Sequence, residues 1–532
     1  MIFLILFVVL VYCTYTWSIK DHDYFEKIGL PYNKPLPLFG NMLDVLLQRR
    51  YIVDLVKSEY YKHKDTKLIE FIKVLTRRIA YYVFDPELVK RITIKDFDHF
   101  VNHSDEVTSS DKMFNKSLVA LRDKKWREMR TALSPIFTSS KMKMMYENVV
   151  IHAENFTRFY ENRARKGEIL IIDALDTFAR FTADGIATSV FGFHTDCVVN
   201  QQSNTFRIVK KMVHDFFGPL GILKFMFAFA FPKVYKFLGI QAMSREIYNF
   251  FKRVVIDVMD ERDRNNIYRP DVIQLLLQVK KGQLKMEEKN DFNDKDLTNF
   301  AASVEYDVGT KISNVSSFEK DDWIAQGFIF FGAGFDTTSN LLQMTCYELS
   351  KNEKVQRELQ EEVDKQLKLL DGKSITYEAL HKMKYLDMVV SEGLRMWPPG
   401  PLTDRSCIKD YDLDLGNGRQ ITIKKGQVLN IPIQLFHHDP EYFPEPNKFN
   451  PNRFSDENKK LIVPGTYLPF GMGPRACIGS RFALMEAKLL LFYLMSKFNV
   501  EKCEKTPENV YYEPNMSFRI KEKIFLKLKL RN

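Results

Sequence analysis

The sequence predicts a mainly α protein with smaller β-sheets (α+β), preceded by an apolar N-terminal anchor. Three observations carry this. A long helical run spans about 321–352, and a second, 480–496, opens directly out of a glycine-studded loop. Over residues 44–100, helical periodicity alternates with short stretches of strand formers such as Ile79-Ala80-Tyr81-Tyr82-Val83-Phe84. Residues 1–19 carry no charged side chain.

Composition bounds the function. Of 532 residues, 45% are apolar and 13% aromatic, enough for a substantial core. A formal charge of +10 suits anionic lipid or an acidic protein partner. Nucleic acid is the other usual partner of a basic chain, but no zinc-finger spacing or basic arm supports it. Cys13, Cys197, Cys346, Cys407, Cys477 and Cys503 show no Cys-x-x-Cys pairing. Single, scattered cysteines argue for a reducing compartment and against a disulfide scaffold. No Rossmann fingerprint for flavin or nicotinamide is present.

Taken in order, Ile2 to Val11 is an unbroken apolar run, and Tyr12, Tyr15 and Trp17 supply the aromatic belt of a membrane interface. The length is near the minimum for spanning a hydrocarbon core. A cleaved signal peptide would want a basic start and a small-x-small cleavage site, and neither is present. Residues 1–19 therefore read as an uncleaved signal anchor. The prolines of Pro31-Tyr32-Asn33-Lys34-Pro35-Leu36-Pro37 forbid helix, so 20–43 reads as a stiff hinge.

Asp85-Pro86 puts proline in the first turn of a helix. Trp126 and Arg130 stand four apart in a helix-like stretch and share a face. On spacing alone, a core Trp beside a solvated Arg is the plainer reading. Residues 216–240 crowd together Phe216, Phe217, Phe225, Phe227, Phe229, Phe231 and Phe237, interrupted by Pro219 and Pro232. A buried core helix is the ordinary reading of such a stretch. Residues 271–278 read as helix, and 281–320 as polar and loop-rich.

Within the 321–352 run, Gly332-Ala333-Gly334-Phe335-Asp336-Thr337-Thr338 sets poor helix formers into an apolar stretch. A local violation of this kind points to function. The small residues would let a flat cofactor approach the backbone, and a threonine hydroxyl can stabilise a kink. Glu392-x-x-Arg395 is followed by Met396-Trp397-Pro398-Pro399. The same spacing at Glu261 and Arg264 lies in a run of charges and reads as a solvated helix face. His437-His438-Asp439-Pro440 looks metal-like in isolation, but adjacent loop histidines are more often surface or capping residues, and no metal is assigned there.

Phe470-x-x-Gly473-x-Arg475-x-Cys477-x-Gly479 then sets a cysteine at the mouth of an apolar helix. Backbone N–H groups and the helix dipole favour a thiolate there, and Gly473 and Gly479 permit close approaches. A buried structural thiol is the commoner fate of a lone cysteine. The density of fixed residue types stands against it.

This loop resembles the haem-binding loop of the cytochrome P-450 family, the haem-thiolate monooxygenases. The resemblance implies haem b (iron protoporphyrin IX) between the central helix and the cysteine-loop helix. Cys477 would be the axial thiolate on iron, Arg475 would meet a propionate, and Phe470 would pack beside the sulfur. A thiolate ligand favours O–O cleavage. Trp126 and Arg130 match the family's Trp-x-x-x-Arg propionate partners, and Arg405 resembles another. The 333–337 stretch is similar to the Ala-Gly-x-Asp/Glu-Thr signature. It implies that Ala333 and Gly334 border the cofactor, while Asp336 and Thr337, with water, deliver protons to dioxygen. Glu392, Arg395 and Arg453 match a structural Glu–Arg–Arg cluster, although Asn452 stands where the family's Pro-Glu-Arg-Phe element has Glu.

As a whole, the resemblance implies one catalytic domain, 44–532, behind the 1–19 anchor and 20–43 hinge. The chain would sit in the endoplasmic reticulum membrane with its catalytic domain facing the cytosol, and residues 216–240 would roof the pocket and touch lipid. It would insert one oxygen atom into an apolar small molecule, as the drug- and xenobiotic-oxidising members do. Electrons would come from NADPH through a separate NADPH–cytochrome reductase, with cytochrome b-five a further partner. Two rival readings are a haem-thiolate isomerase or peroxide-rearranging enzyme, and a non-catalytic haem carrier or gas sensor. Asp336 and Thr337 argue against both.

Overall fold

Helix boundaries follow from local capping chemistry. The computed structural model describes the chain except residues 21, 31, 64–67, 73–78, 105–110, 231, 242, 284–299, 302–317, 417, 516 and 532. The Asp85 carboxylate accepts the N–H groups of Glu87 and Leu88, and Pro86 takes the first position of the helix Pro86–Lys90. Asp271 likewise caps Val272–Lys280 through the Gln274 N–H. The central helix, Lys320–Lys351, begins on a capping box in which Asp322 reaches back to the Glu319 N–H at 2.9 Å. Its 32 residues match the expected run to within a residue at each end.

Among the described residues, the strands form three small sheets. β1 (Leu68–Ile72), β2 (Ile79–Val83), β4 (Thr403–Ser406) and β7 (Val428–Ile431) make one in the order β1-β2-β7-β4. In it, β2 and β7 are parallel and the other pairs antiparallel. β3 (Leu170–Asp173), β9 (Phe525–Leu530) and β8 (Phe498–Lys502) make an antiparallel sheet in that order, and β5 (Tyr411–Gly416) pairs with β6 (Arg419–Ile423). Among the described residues, the other large elements are helical, as expected.

The main core surrounds the central helix. That helix packs most extensively on the helix Ala174–Ser189, and also on the cysteine helix, Ser480–Lys497, and the helix Lys384–Met396. Its two ends are buried almost throughout, while its middle opens at Ala333 and Thr337. A second core lies against the four-stranded sheet, including Tyr81, Val83, Phe100, Leu429 and Ile431.

Outside the core, the helix Ile2–Ile19 is long and apolar enough to cross a membrane, and only Ser18 in it is buried. Residues 216–240 are not one buried helix. Pro219 and Pro232 each open a new one, giving Pro219–Ala230 and Pro232–Phe237 after Asn204–Phe217. Leu220, Leu223, Val234, Phe237 and Leu238 in this region are exposed. Most of the polar stretch expected over 281–320 lies outside the described residues.

Two expectations need correction. Glu261, Asp263 and Arg264 do face solvent, but Arg262 between them turns inward and binds both oxygens of Asp271 at 2.6 Å. His437 is no surface residue. It is fully buried, and its Nε2 accepts the Leu468 N–H at 2.8 Å while Nδ1 meets the Arg395 carbonyl at 3.2 Å. These two bonds tie the end of the helix Ile433–His437 to two distant stretches of chain. Among the described residues, no cluster suited to a metal ion occurs.

Candidate active site

The cysteine loop is shaped by its glycines and clamped by its arginine. Gly471 and Gly473 adopt φ of +73° and +77°, and a Cβ on Gly473 would collide with the Thr93 carbonyl. Gly479 differs from expectation. Its φ is −95°, and a Cβ there would meet nothing nearer than Phe137 Cε1 at 3.9 Å. The Cys477 N–H donates to the Phe470 carbonyl at 2.8 Å, which fixes cysteine and phenylalanine side by side.

Arg475 does more than was expected of it. Its Nε donates to the Val101 carbonyl at 2.8 Å, and its terminal nitrogens donate to the carbonyls of Leu118, Val119 and Leu121. The guanidinium lies 4.0 Å over the buried ring of Trp126. It therefore clamps the cysteine loop onto the segment leading into the helix Asp123–Leu133, which carries Trp126 and Arg130. Hydrogen bonds to four backbone carbonyls hold it.

Arg405 sits on β4 opposite Leu429 and is 1% exposed. Its terminal nitrogens donate to the carbonyls of Asp404, 2.7 Å, and Met472, 3.2 Å. Its buried Nε has no acceptor. Burial holds this guanidinium down to about 10, only partly opposed by Asp404. Arg475 is likewise held well below its ordinary value, first by burial and then by the positive charges of Arg405, Arg130 and Arg122, with Asp404 opposing. His103 stands in the same group. Its Nδ1 is 2.8 Å from Asp404 Oδ1, and burial together with Arg475 and Arg405 lowers it. A buried surplus of guanidinium around one carboxylate, with an N–H lacking an acceptor, is the donor set that an anionic group would complete. The propionates of a haem fit it.

Cys477 presents its side chain to an interior space. Its surface is uncovered by protein, yet burial pushes its thiol up, opposed by the Gly479 N–H and the charge of Arg130. The lowering expected from the helix mouth is present but does not win in the protein alone. A metal cation held by Cys477 would supply the missing term, since a coordinating thiol is deprotonated outright.

The open middle of the central helix belongs to the same place. Phe330, one turn before Ala333, packs edge-on against Phe137 at 5.3 Å, and Phe137 in turn neighbours Gly479. Ala333 and Thr337, four apart, share the uncovered face, and the Thr337 hydroxyl donates to the Ala333 carbonyl at 2.6 Å. The two glycines do not share it. A Cβ on Gly334 would meet Ile186 at 2.9 Å, and one on Gly332 would meet Met212 at 3.1 Å. Both glycines permit close helix packing at these positions. Burial pushes the Asp336 carboxyl up, against the pull of Arg519, whose Nη2 lies 2.8 Å from Oδ1.

Glu392, Arg395 and Arg453 do form one cluster. Arg395 donates to both Glu392 oxygens, at 2.7 and 2.9 Å, and to the carbonyls of His437 and Pro446. Arg453 Nε reaches Glu392 Oε1 at 3.4 Å, and the Asn450 N–H donates to the same oxygen at 2.8 Å. Asn452 is exposed, so the departure there leaves the cluster intact. Three participants went unforeseen: Asp404 and His103 beside Arg405, and Arg519 on Asp336. Only Asp404, an acid next to a singled-out arginine, carried any signal in the sequence.

Comparison with known proteins agrees with this geometry. The family model described as Cytochrome P450 matches residues 30–528. The chain is 41% identical over 526 residues to Cytochrome P450 9e2 of Blattella germanica, covering 95% of this chain and 93% of that protein. It is 38% identical over 515 residues to Probable cytochrome P450 9f2 of Drosophila melanogaster, covering 95% and 94%. It is 32% identical over 505 residues to Cytochrome P450 6k1 of Blattella germanica, covering 95% and 92%. With a match this long joined to a glycine-shaped cysteine loop and a buried Glu–Arg pair, the chain belongs to the cytochrome P450 family, whose members are haem monooxygenases.

Proposed function

We propose that this P450 monooxygenase binds haem b through the Cys477 thiolate and inserts one oxygen atom into an apolar small molecule, as xenobiotic-oxidising members of the family do. Electrons come from NADPH through a separate reductase, with cytochrome b-five as a further partner. The observation that carries the reading is the buried guanidinium group with the Arg405 Nε unanswered, set against a cysteine whose side chain opens inward.

When bound, haem supplies the activation of dioxygen, with electron density from the thiolate favouring O–O cleavage. The chain's own residues do the rest. Arg405, Trp126 and Arg130 hold the propionates, and Arg475 fixes the loop and adds its charge. Phe470 shields the sulfur, and Ala333 leaves room at the open face. Asp336 and Thr337 hold and move protons there. The apolar helix Ile2–Ile19 anchors the chain in the endoplasmic reticulum membrane, with the catalytic domain in the cytosol. The exposed Leu220, Leu223, Phe237 and Leu238 add a lipid contact.

Purified protein with reductase, NADPH and an apolar test substrate should couple oxygen uptake to product. Thr337→Ala should keep haem but divert reducing equivalents to hydrogen peroxide, lowering product per NADPH by about tenfold or more. Unchanged coupling in that variant would remove Thr337 from the relay. Turnover without reductase or NADPH would favour the isomerase reading.

A further inference from the structure

Asp336 and Thr337 are consecutive on a helix, so their side chains point about 100° apart and do not face each other. In the structure each is already engaged, and in different directions. The Thr337 hydroxyl donates to the Ala333 carbonyl on the open face. The Asp336 carboxylate is held at 2.8 Å by Arg519, which arrives from a C-terminal hairpin. Within that hairpin, Tyr512 bridges Ile520, the Lys521 N–H donates to the Tyr511 carbonyl, and the Glu513 N–H donates to the Arg519 carbonyl at 2.7 Å. Tyr512 stacks on Tyr51 at 4.6 Å and lies 5.9 Å from Trp397. Arg519 is thus presented by a braced element. Among the described residues, it is the one charged group that acts on Asp336.

We propose that Arg519 is a positioning residue for the monooxygenase reaction, holding the Asp336 carboxylate turned away from Thr337, so that proton delivery requires this ion pair to open. The proposal rests on the Asp336–Thr337 relay proposed above. About a quarter of each side chain is uncovered, 26% for Asp336 and 28% for Arg519, so the pair is not sealed in as Glu392 and Arg395 are. A partly uncovered ion pair is worth little enough to open and reclose during turnover. Once released, the carboxylate takes a proton from water, turns along the helix and passes that proton to the Thr337 hydroxyl and its water. The carboxylate left behind then recloses on Arg519.

The test compares wild type with Arg519→Gln, Arg519→Lys and Asp336→Asn as full-length holoproteins. Infrared titration of isotope-labelled aspartate, with Asp336→Asn identifying the band, reads the carboxyl without turnover. Arg519→Gln should raise its midpoint by about one pH unit or more, the effect of losing one opposite charge at hydrogen-bond distance. Product per NADPH should fall by about tenfold while substrate affinity, read from the Soret shift, stays the same. Arg519→Lys should restore both. An unmoved midpoint or unchanged coupling in Arg519→Gln overturns the proposal. If Asp336→Asn uncouples and Arg519→Gln does not, the latch alone is wrong. If Asp336→Asn also stays coupled, the relay itself is wrong.

Discussion

Two groups of buried arginines are built in opposite ways. Arg395 is fully buried, and its guanidinium is answered by both oxygens of Glu392 and by two carbonyls. Arg405 is as deeply buried, but its Nε has no acceptor, and Arg475, Arg130 and Arg122 add positive charge around a single carboxylate, Asp404. Burying charge costs free energy unless partners answer it. The closed group is an architectural joint linking the helix Lys384–Met396 to the turns at His437 and Pro446. The open group is a donor set that the proposed haem propionates would complete. The same residue type serves both ends, and only the partner count separates them.

Breaking the closed group should have the largest effect. Glu392→Gln removes the charge that answers Arg395 and leaves a buried cation, costing about 3–5 kcal/mol. The expected result is little folded holoprotein and a strongly lowered melting temperature. A wild-type melting temperature would show that the carbonyls alone satisfy Arg395.

Acid should attack the same joint. Burial and the charge of Arg395 hold His438 down to about 4, from an ordinary value of 6.5. Between those values the unfolded chain binds the proton more readily, so stability is present above pH 6.5 and is lost as pH falls toward 4. For one such group the loss is about 3 kcal/mol. His437, fully buried and lowered for the same reasons, adds in the same direction. Denaturant unfolding from pH 7 to 4 should show this slope, and His438→Gln should flatten part of it.

The open group should behave differently. Arg405→Met removes a buried charge without breaking a protein ion pair, so the fold should survive with near wild-type helical content. Haem loss should accelerate by about tenfold, the worth of a charge-assisted hydrogen bond. Loss of fold in this variant, or unchanged haem retention, would erase the contrast between the two groups.

Much of the architecture was legible because it is written in short-range chemistry. Asp85-Pro86, the apolar run 321–352 and the helix after Cys477 each carry their own signals, and each forms where expected. Motif residues from Trp126 to Cys477 could be named, but not their bonds. Arg475 grips four carbonyls from a segment more than 350 residues earlier, which its motif did not foretell. Gly334 packs against Ile186 of a neighbouring helix, a contact its motif did not foretell. Arg519 stood in no motif at all. In each case the deciding partner is distant in sequence, where periodicity and spacing carry no information.

The most direct test of the central claim is the carbon monoxide difference spectrum of the reduced, purified protein. A Soret band at the strongly red-shifted position of thiolate-ligated ferrous haem, lost in Cys477→Ala, is the result expected if Cys477 and the open arginine group together hold the cofactor. A band at the position of histidine- or thiol-ligated haem in freshly prepared, folded protein would contradict it, as would a red-shifted band that survives Cys477→Ala.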